Sequence, residues 1–369
     1  MKIPFKMQIR QIIKHLESIA PLGYQEPYDN SGLLVGDPTR EVINVLVSLD
    51  VTEEVVAEAE SRNCQMIIAH HPLIFGGLKK ITGSDYVQRT VIQAIKKDIA
   101  VYAIHTNLDN VVTGVNNKIG EILGIGRRKI LEPKKDTLYK LVVFTPSGSA
   151  ETVQKALFEA GAGHIGNYSE CSFSSSGRGS FKANEEAQPY TGERGSLHYE
   201  DEVKVEVIVP AYLKNRVVQS MVEAHPYEEV AYDVFSLENT NMEVGSGMVG
   251  LLEEPVYALD FLNMVKEKMG GVVRYTALVK DQVQRIAWCG GSGSFLLPAA
   301  KRAGVDVFIT SDFKYHQFFD AENEIIIADI GHYENEQFTK ELIASILKEK
   351  FTNFAVLLAE TNTNPINYL

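Results

Sequence analysis

Histidines and carboxylates cluster where the apolar runs of this chain stop. SLD ends at Asp50, IIAHHP ends at His70 and His71, and YAIHTNLDN carries His105 and Asp109. FITSDFKYH carries Asp312 and His316, and IADIGHYENE carries Asp329, His332 and Glu336. Imidazole and carboxylate together are a donor set for zinc, iron, manganese, cobalt or nickel. Adjacent His70 and His71 cannot easily turn toward one ion from a regular strand, but at a strand end, with Pro72 following, they can serve two neighbouring ions. A carboxylate can bridge such a pair, because its two oxygens can bind different metals. Two ions about 3.5–4 Å apart can activate a water and clamp a developing oxyanion. Glu336 lies four residues after His332, which on a helix puts both on one face. Were His332 in the preceding turn, Glu336 would stand at the helix start, where the dipole favours negative charge. Each motif alone has an ordinary explanation: an HH pair that caps or packs, or an Asp109-Asn110 turn. The metal reading rests on their coincidence at strand ends.

The elements that must position these groups are legible as patterns. A helix is expected over residues 7–19, with further helices over 53–62 and 86–97. Apolar runs of strand length cover 42–50, 66–71 and 99–109. Continuous apolar strands alternating with helices predict a parallel sheet covered on both faces. Ligands in such sheets bind beyond the carboxyl ends of the strands, so the candidate groups would share one rim. The last segment repeats this grammar: a strand in RIAWCGG, a helix in SFLLPAAKRAG, strands in VDVFITSD and EIIIADIGH, and a closing amphipathic helix in NEQFTKELIASILKEKF.

The middle differs. KLVVFTP (140–146) matches KVEVIVP (204–210), and at the same offset VQKALFEA (153–160) falls on VVQSMVEA (217–224). Each half reads strand, helix, strand, which together make a ferredoxin-like βαβ-βαβ unit. The polar Ser/Gly-rich stretch 172–202 between them is expected to be a long hairpin or a mobile loop. The fold class is therefore α/β: a discontinuous outer domain, residues 1–132 plus 246–369, with an inserted α+β domain over 133–245.

The bulk numbers set limits. The 369 residues carry 45% hydrophobic and 23% charged residues, an ordinary globular balance. A formal net charge of −12 disfavours broad binding to nucleic-acid backbone, although a local basic patch could still hold a phosphorylated small molecule. The three cysteines, Cys64, Cys171 and Cys289, are far apart and odd in number, which implies no disulfide framework or thiolate zinc motif. Residues 1–20 alternate charge with apolar positions and lack the apolar core of a signal peptide. No apolar run approaches the roughly 20 residues needed to span a bilayer. A cytoplasmic protein with no membrane partner is the expectation.

Seven motifs, in order, resemble one known family: DNSGLLVGD (29–37), SLDVTEEVV (48–56), IIAHHPLIF (67–75), HTNLDNVVTGVN (105–116), CGGSGSF (289–295), TSDFKYH (310–316) and DIGHYENE (329–336). The chain is similar to the GTP cyclohydrolase I type 2 homologs, also called Nif three-like proteins. Its middle resembles the CutA/PII-like insert of longer bacterial members, best in HPYEEVAYDVF (225–235). The resemblance implies a dinuclear centre holding two divalent ions per chain, zinc or iron first, with manganese, cobalt or nickel as alternatives. It places the ligands on His70, His71, Asp109, His332 and Glu336, with Glu336 as the bridge. It sets His105 beside them as an extra ligand or proton carrier, and it implies a ring-shaped homohexamer. Tyr28 stands where the family commonly has Trp.

The activity this implies is hydrolysis of a nucleotide-like small molecule, GTP by the family's name, with His105 or His316 moving the proton. The rival readings are a metal-binding regulatory or scaffold assembly without catalysis, and the handling of a metal or metallo-cofactor. CGGSGS could bring backbone N–H groups to a phosphate or simply form a tight strand–helix turn. DNSGLLVGD reads as a loop supporting the site, and Lys314 and Tyr315 could contact an anionic substrate. His164, His198 and His225 read as structural, and Cys64 and Cys289 as buried rather than reactive.

Overall fold

A computed structural model describes residues 6–369; residues 1–5 of the N-terminal stretch lie outside the described residues. The chain divides into two compact units, residues 1–133 with 242–369 and residues 134–241.

The first unit holds two mixed sheets where the apolar runs suggest one parallel sheet. The five-stranded sheet runs in the order Ala355–Leu358, Asn44–Ser48, Met66–Ala69, Ala100–Ala103, Gly32–Val35. Its first four strands are parallel and the last is antiparallel. The six-stranded sheet runs Arg274–Tyr275, Ile326–Asp329, Val307–Ser311, Gln282–Ser292, Gly245–Tyr257, Gly126–Pro133. Only its middle three strands are parallel. The chemistry-bearing runs belong to these parallel cores, and the antiparallel strands extend one edge of the first sheet and both edges of the second.

Alternation along the strands shows why both sheets are covered on two faces. Val45, Val47, Met66, Ile68 and Tyr102 point into one large core, whereas Leu46, Ile67 and Val101 point into another on the opposite face. In the second sheet, Ile286, Trp288, Val307 and Ile309 enter that same large core, and Ala287, Phe308 and Ile327 enter a third. The helices Ile9–Ile19, Val115–Leu123, Ala258–Met269 and Thr339–Lys350 supply Ile12, Leu16, Ile119, Phe261 and Leu347 to the shared core. Helices are thus sandwiched between the sheets, and others cap the outer faces.

The helix ends follow local chemistry. Thr52 caps the helix Glu53–Ser61 by accepting the Val55 amide, and Glu53 and Glu54 favour its positive end. Asp85 accepts the Gln88 amide at the start of Tyr86–Lys96. Gly124 ends Val115–Leu123 in the left-handed region, φ 73°. The expected helix over 7–19 begins at Ile9, because Met7–Gln8 pairs instead with Glu41–Val42. The closing helix is two helices, His332–Glu336 and Thr339–Lys350.

The second unit runs strand Leu138–Pro146, helix Ala150–Glu159, strands Ser172–Lys182 and Leu197–Pro210, helix Lys214–Ala224 and strand Tyr232–Ser236. Its four strands are all antiparallel, with the last beside the first and the third between the first and second. The duplicated strands pair with each other, Val205 opposite Val143. The helices Ala150–Glu159 and Lys214–Ala224 close one face through Val153, Leu157, Val217 and Met221. The Ser/Gly-rich stretch is a long hairpin.

Candidate metal centre

His70 and His71 follow directly on the strand Met66–Ala69 and turn in different directions. The His70 ring is fully buried, with Nδ1 2.9 Å from the Ile104 carbonyl oxygen. That contact makes Nδ1 the N–H donor and leaves the Nε2 lone pair facing inward. His70 Nε2 lies 3.6 Å from Asp109 Oδ1 and 3.7 Å from Glu336 Oε1, too far for hydrogen bonds. Both His70 Nε2 and Asp109 Oδ1 are buried polar atoms with no hydrogen-bond partner.

His71 takes the other side. Its Nδ1 is 2.7 Å from Asp50 Oδ1 and its Nε2 is 2.9 Å from Glu336 Oε2. His332 mirrors it, with Nδ1 2.7 Å from Asp312 Oδ2 and Nε2 3.0 Å from Glu336 Oε2. One oxygen of Glu336 therefore faces His71 and His332 while the other faces His70. Two groups, His71 with His332 and Glu336, and His70 with Asp109 and Glu336, each bring their ligand atoms within 4.8 Å of one another. A third such group joins His70 and His71 to His105.

The supporting shell fixes these rings. Asp50 and Asp312 hold the Nδ1 side of His71 and His332, so that each Nε2 points at the shared carboxylate. His105 Nδ1 is 2.8 Å from Asp29 Oδ1, and Asp29 also accepts from the Thr106 amide at 3.0 Å. The DNSGLLVGD stretch, expected as a loop, runs into the strand Gly32–Val35, and its Asp29 positions His105. Asp109 closes the single turn Thr106–Asp109, and Asn116 Nδ2 donates to its carbonyl at 3.1 Å. Asn116 Oδ1 also accepts the Gly290 amide at 2.9 Å, tying that turn to the glycine segment of the second sheet.

The glycines of CGGSGS serve close approach. Gly291 has φ 62°, and a Cβ there would stand 2.5 Å from Glu336 Oε1. A side chain at this position would fill the space in front of the carboxylate.

Electrostatics follow from burial and crowding. Burial opposes ionisation of Glu336, but His332 beside it, with His70 and His71 around it, holds its carboxyl well below the usual range. Burial, then the charge of Glu336, push Asp109 up to about 8. Burial alone would lower His71, but its bonds to Asp50 and Glu336 push it up to about 10. His332 is likewise desolvated, and Glu336 and Asp312 raise it to about 11. Burial, reinforced by Asp109 and Glu336, raises the Cys289 thiol far above its ordinary value, so no thiolate is expected there. Cys64, also buried, is pushed up to about 11.

Four carboxylate or imidazole donors converging on Glu336, with two orphaned buried atoms among them, fit a metal cation. A buried polar atom without a partner costs free energy. An ion between His70 Nε2 and Asp109 Oδ1 would remove that cost.

His70, His71, His105, Asp109, His332 and Glu336 are thus brought together. His316 is not: it is exposed on the 3-10 segment Tyr315–Ala321, its ring stacked on Phe319 at 6.3 Å. Lys314 and Tyr315 are exposed beside it. Asp329 bonds to Arg274 and the Phe313 amide. Sequence reasoning marked Asp50 and Asp312 only as further ligand types and missed Asn116; the available signal for Asn116 was its place at the end of HTNLDNVVTGVN. The centre opens into a cleft of about 500 Å³ bordered by Tyr28, Phe75, Phe295 and Ile366.

A mixed α/β frame carries, at the ends of two parallel strand cores, a His/carboxylate cluster that could hold a metal ion. The chain belongs to the Duf34/NIF3 (NGG1p interacting factor 3) family, which it matches over residues 7–365. It is 40% identical over 367 residues to a Bacillus subtilis protein named GTP cyclohydrolase 1 type 2 homolog, covering 98% of each chain. Among solved structures it is similar to a Bacillus cereus protein related to NIF3, with 38% identity, TM-score 0.83 and 98% and 99% of the two chains covered. A Staphylococcus aureus protein gives 31% identity and TM-score 0.78 over 98% and 99%. No helix among the described residues is long and apolar enough to cross a membrane.

Proposed function

We propose that this protein is a dinuclear metal-dependent hydrolase acting on a nucleotide-like small molecule. The observation that carries the reading is the split carboxylate of Glu336, with Oε2 toward His71 and His332 and Oε1 toward the orphaned Nε2 of His70. His71, His332 and Glu336 would hold one divalent ion, and His70, Asp109 and Glu336 the other. When bound, such a pair supplies Lewis acidity and a water of lowered pKa. The protein's own part is then to fix the donors, to confine the substrate in the cleft and to move a proton. His105 is the group placed to move that proton. Asp29 holds its Nδ1, and its ring lies 5.2 Å from His70 and 5.4 Å from His71 between centroids. His316, outside the cluster, is given no such part.

The second unit's strand order is that of a ferredoxin-like fold, which supports reading it as a CutA/PII-like insert that binds an effector or builds a homohexameric ring. The relatives' name points to a GTP-type ring opening as the first reaction to assay.

The test is a pair of variants. Glu336→Gln should lose both metal and turnover in a hydrolase screen that includes GTP, and His105→Ala should keep its metal and lose turnover. A metal-loaded wild type that turns over no substrate in that screen would favour the scaffold reading instead.

A further inference from the structure

The charge and shape of the cleft bear on what part of a substrate it recognises, an inference that rests on the metal-dependent reading above. Its lining carries the carboxylates of Glu26, Asp50, Asp109 and Glu336, and among the described residues no lysine or arginine. Two divalent cations would bring four positive charges against those four negative ones, leaving the loaded cleft near neutral. A polyphosphate entering it would find no Lys or Arg to offset its lost hydration, only the two ions, whose charge the four carboxylates already balance. Sites that grip phosphate chains commonly supply Arg, Lys or a helix N-terminus aimed at the anion.

The mouth offers something else. Tyr28 is 64% exposed and Phe75 54% exposed, and both border the cleft. Their ring centroids are 6.3 Å apart at 30°, and Phe75 lies 6.1 Å from the His105 ring. A row of rings thus leads from solvent to the histidines of the centre. Asn30 Nδ2 donates to the Ile74 carbonyl at 2.6 Å and ties the two aromatic segments together. Glu26 also lines the cleft, its Oε1 accepting from Asn110 Nδ2 at 2.9 Å.

We infer that the cleft selects an uncharged planar N-heterocycle, stacked along Tyr28 and Phe75, and draws no affinity from a polyphosphate chain. Within a nucleotide-like class, the ring is what is recognised. The experiment is calorimetric titration of the full-length, metal-loaded protein with guanosine and, separately, with magnesium GTP. Guanosine should bind at least as tightly as GTP, and Tyr28→Ala and Phe75→Ala should each weaken guanosine about tenfold, as expected for loss of one base–aromatic stack. Metal content should be unchanged in both variants, since neither side chain is a ligand. Any preference for GTP over guanosine, or unchanged guanosine binding in both variants, overturns the inference. If the protein takes up no metal, the metal-dependent reading fails by itself. The same titrations on the metal-free protein then decide the inference by the same two criteria.

Discussion

The histidines of the two units live under different rules. In the second unit, His225 Nε2 sits 3.0 Å from the Phe144 carbonyl and its Nδ1 accepts the Tyr227 amide, so both nitrogens are satisfied. Burial lowers its pKa, as for a neutral core imidazole. His198 pairs with Glu200 at 3.0 Å on the hairpin. In the first unit, His71 and His332 are each gripped by a carboxylate on both nitrogens, and His70 keeps one nitrogen with no partner at all. A satisfied histidine supports a fold, whereas histidines crowded around a shared carboxylate with orphan atoms between them form a donor set that could hold a cation.

The strongest way to break this contrast is to remove its shared member. Glu336→Gln should weaken metal affinity by more than about 100-fold, beyond the loss typical of an outer-shell partner, because it withdraws charge from both halves of the centre at once. Titration against a competing chelator measures it. Next in size, Asp50→Asn and Asp312→Asn should each weaken binding about 10–100-fold while leaving the fold intact, since they free the rings of His71 and His332 without deleting a donor.

The pH dependence sharpens the comparison with a definite sign. In the metal-free protein, His71 and His332 are raised above their unfolded value, to about 10 and about 11. Their contribution to stability is then full below about 6.5 and is lost as pH rises through about 10 to 11. Metal-free protein should accordingly weaken in that window in urea titrations. Metal binding must displace those protons, so affinity should rise with pH and proton release should appear in calorimetry repeated in buffers of different ionisation enthalpy. The smallest effect belongs to the second unit. His225→Gln should cost about 1 kcal/mol of stability and leave metal content unchanged, read by thermal unfolding and elemental analysis. A change in metal content there would erase the distinction between the two sets of histidines.

Much of this was legible in the sequence, for physical reasons. The apolar runs ending at His70, Asp109 and Asp329 are strands buried on both faces, and such runs announce themselves. The repeat at 140–146 and 204–210 foretold two strands that pair with each other. What was hidden depends on long-range contacts. Nothing local tells that Gly245–Tyr257 and Gly126–Pro133 extend a second sheet, so two mixed sheets read as one. The role of Asn116, linking the turn of Asp109 to Gly290, joins residues far apart in sequence. The displacement of His316 was hidden for a related reason. It follows Asp312 closely, yet Asp312 has φ 61° and the chain turns away there into an exposed 3-10 segment.

The most direct test of the central claim is the metal content of the purified protein measured by elemental analysis beside Glu336→Gln. The split-carboxylate account expects two equivalents in the wild type and a collapse of both in the variant. A wild type that holds none after incubation with zinc, iron or manganese, or a variant that keeps both, would contradict it.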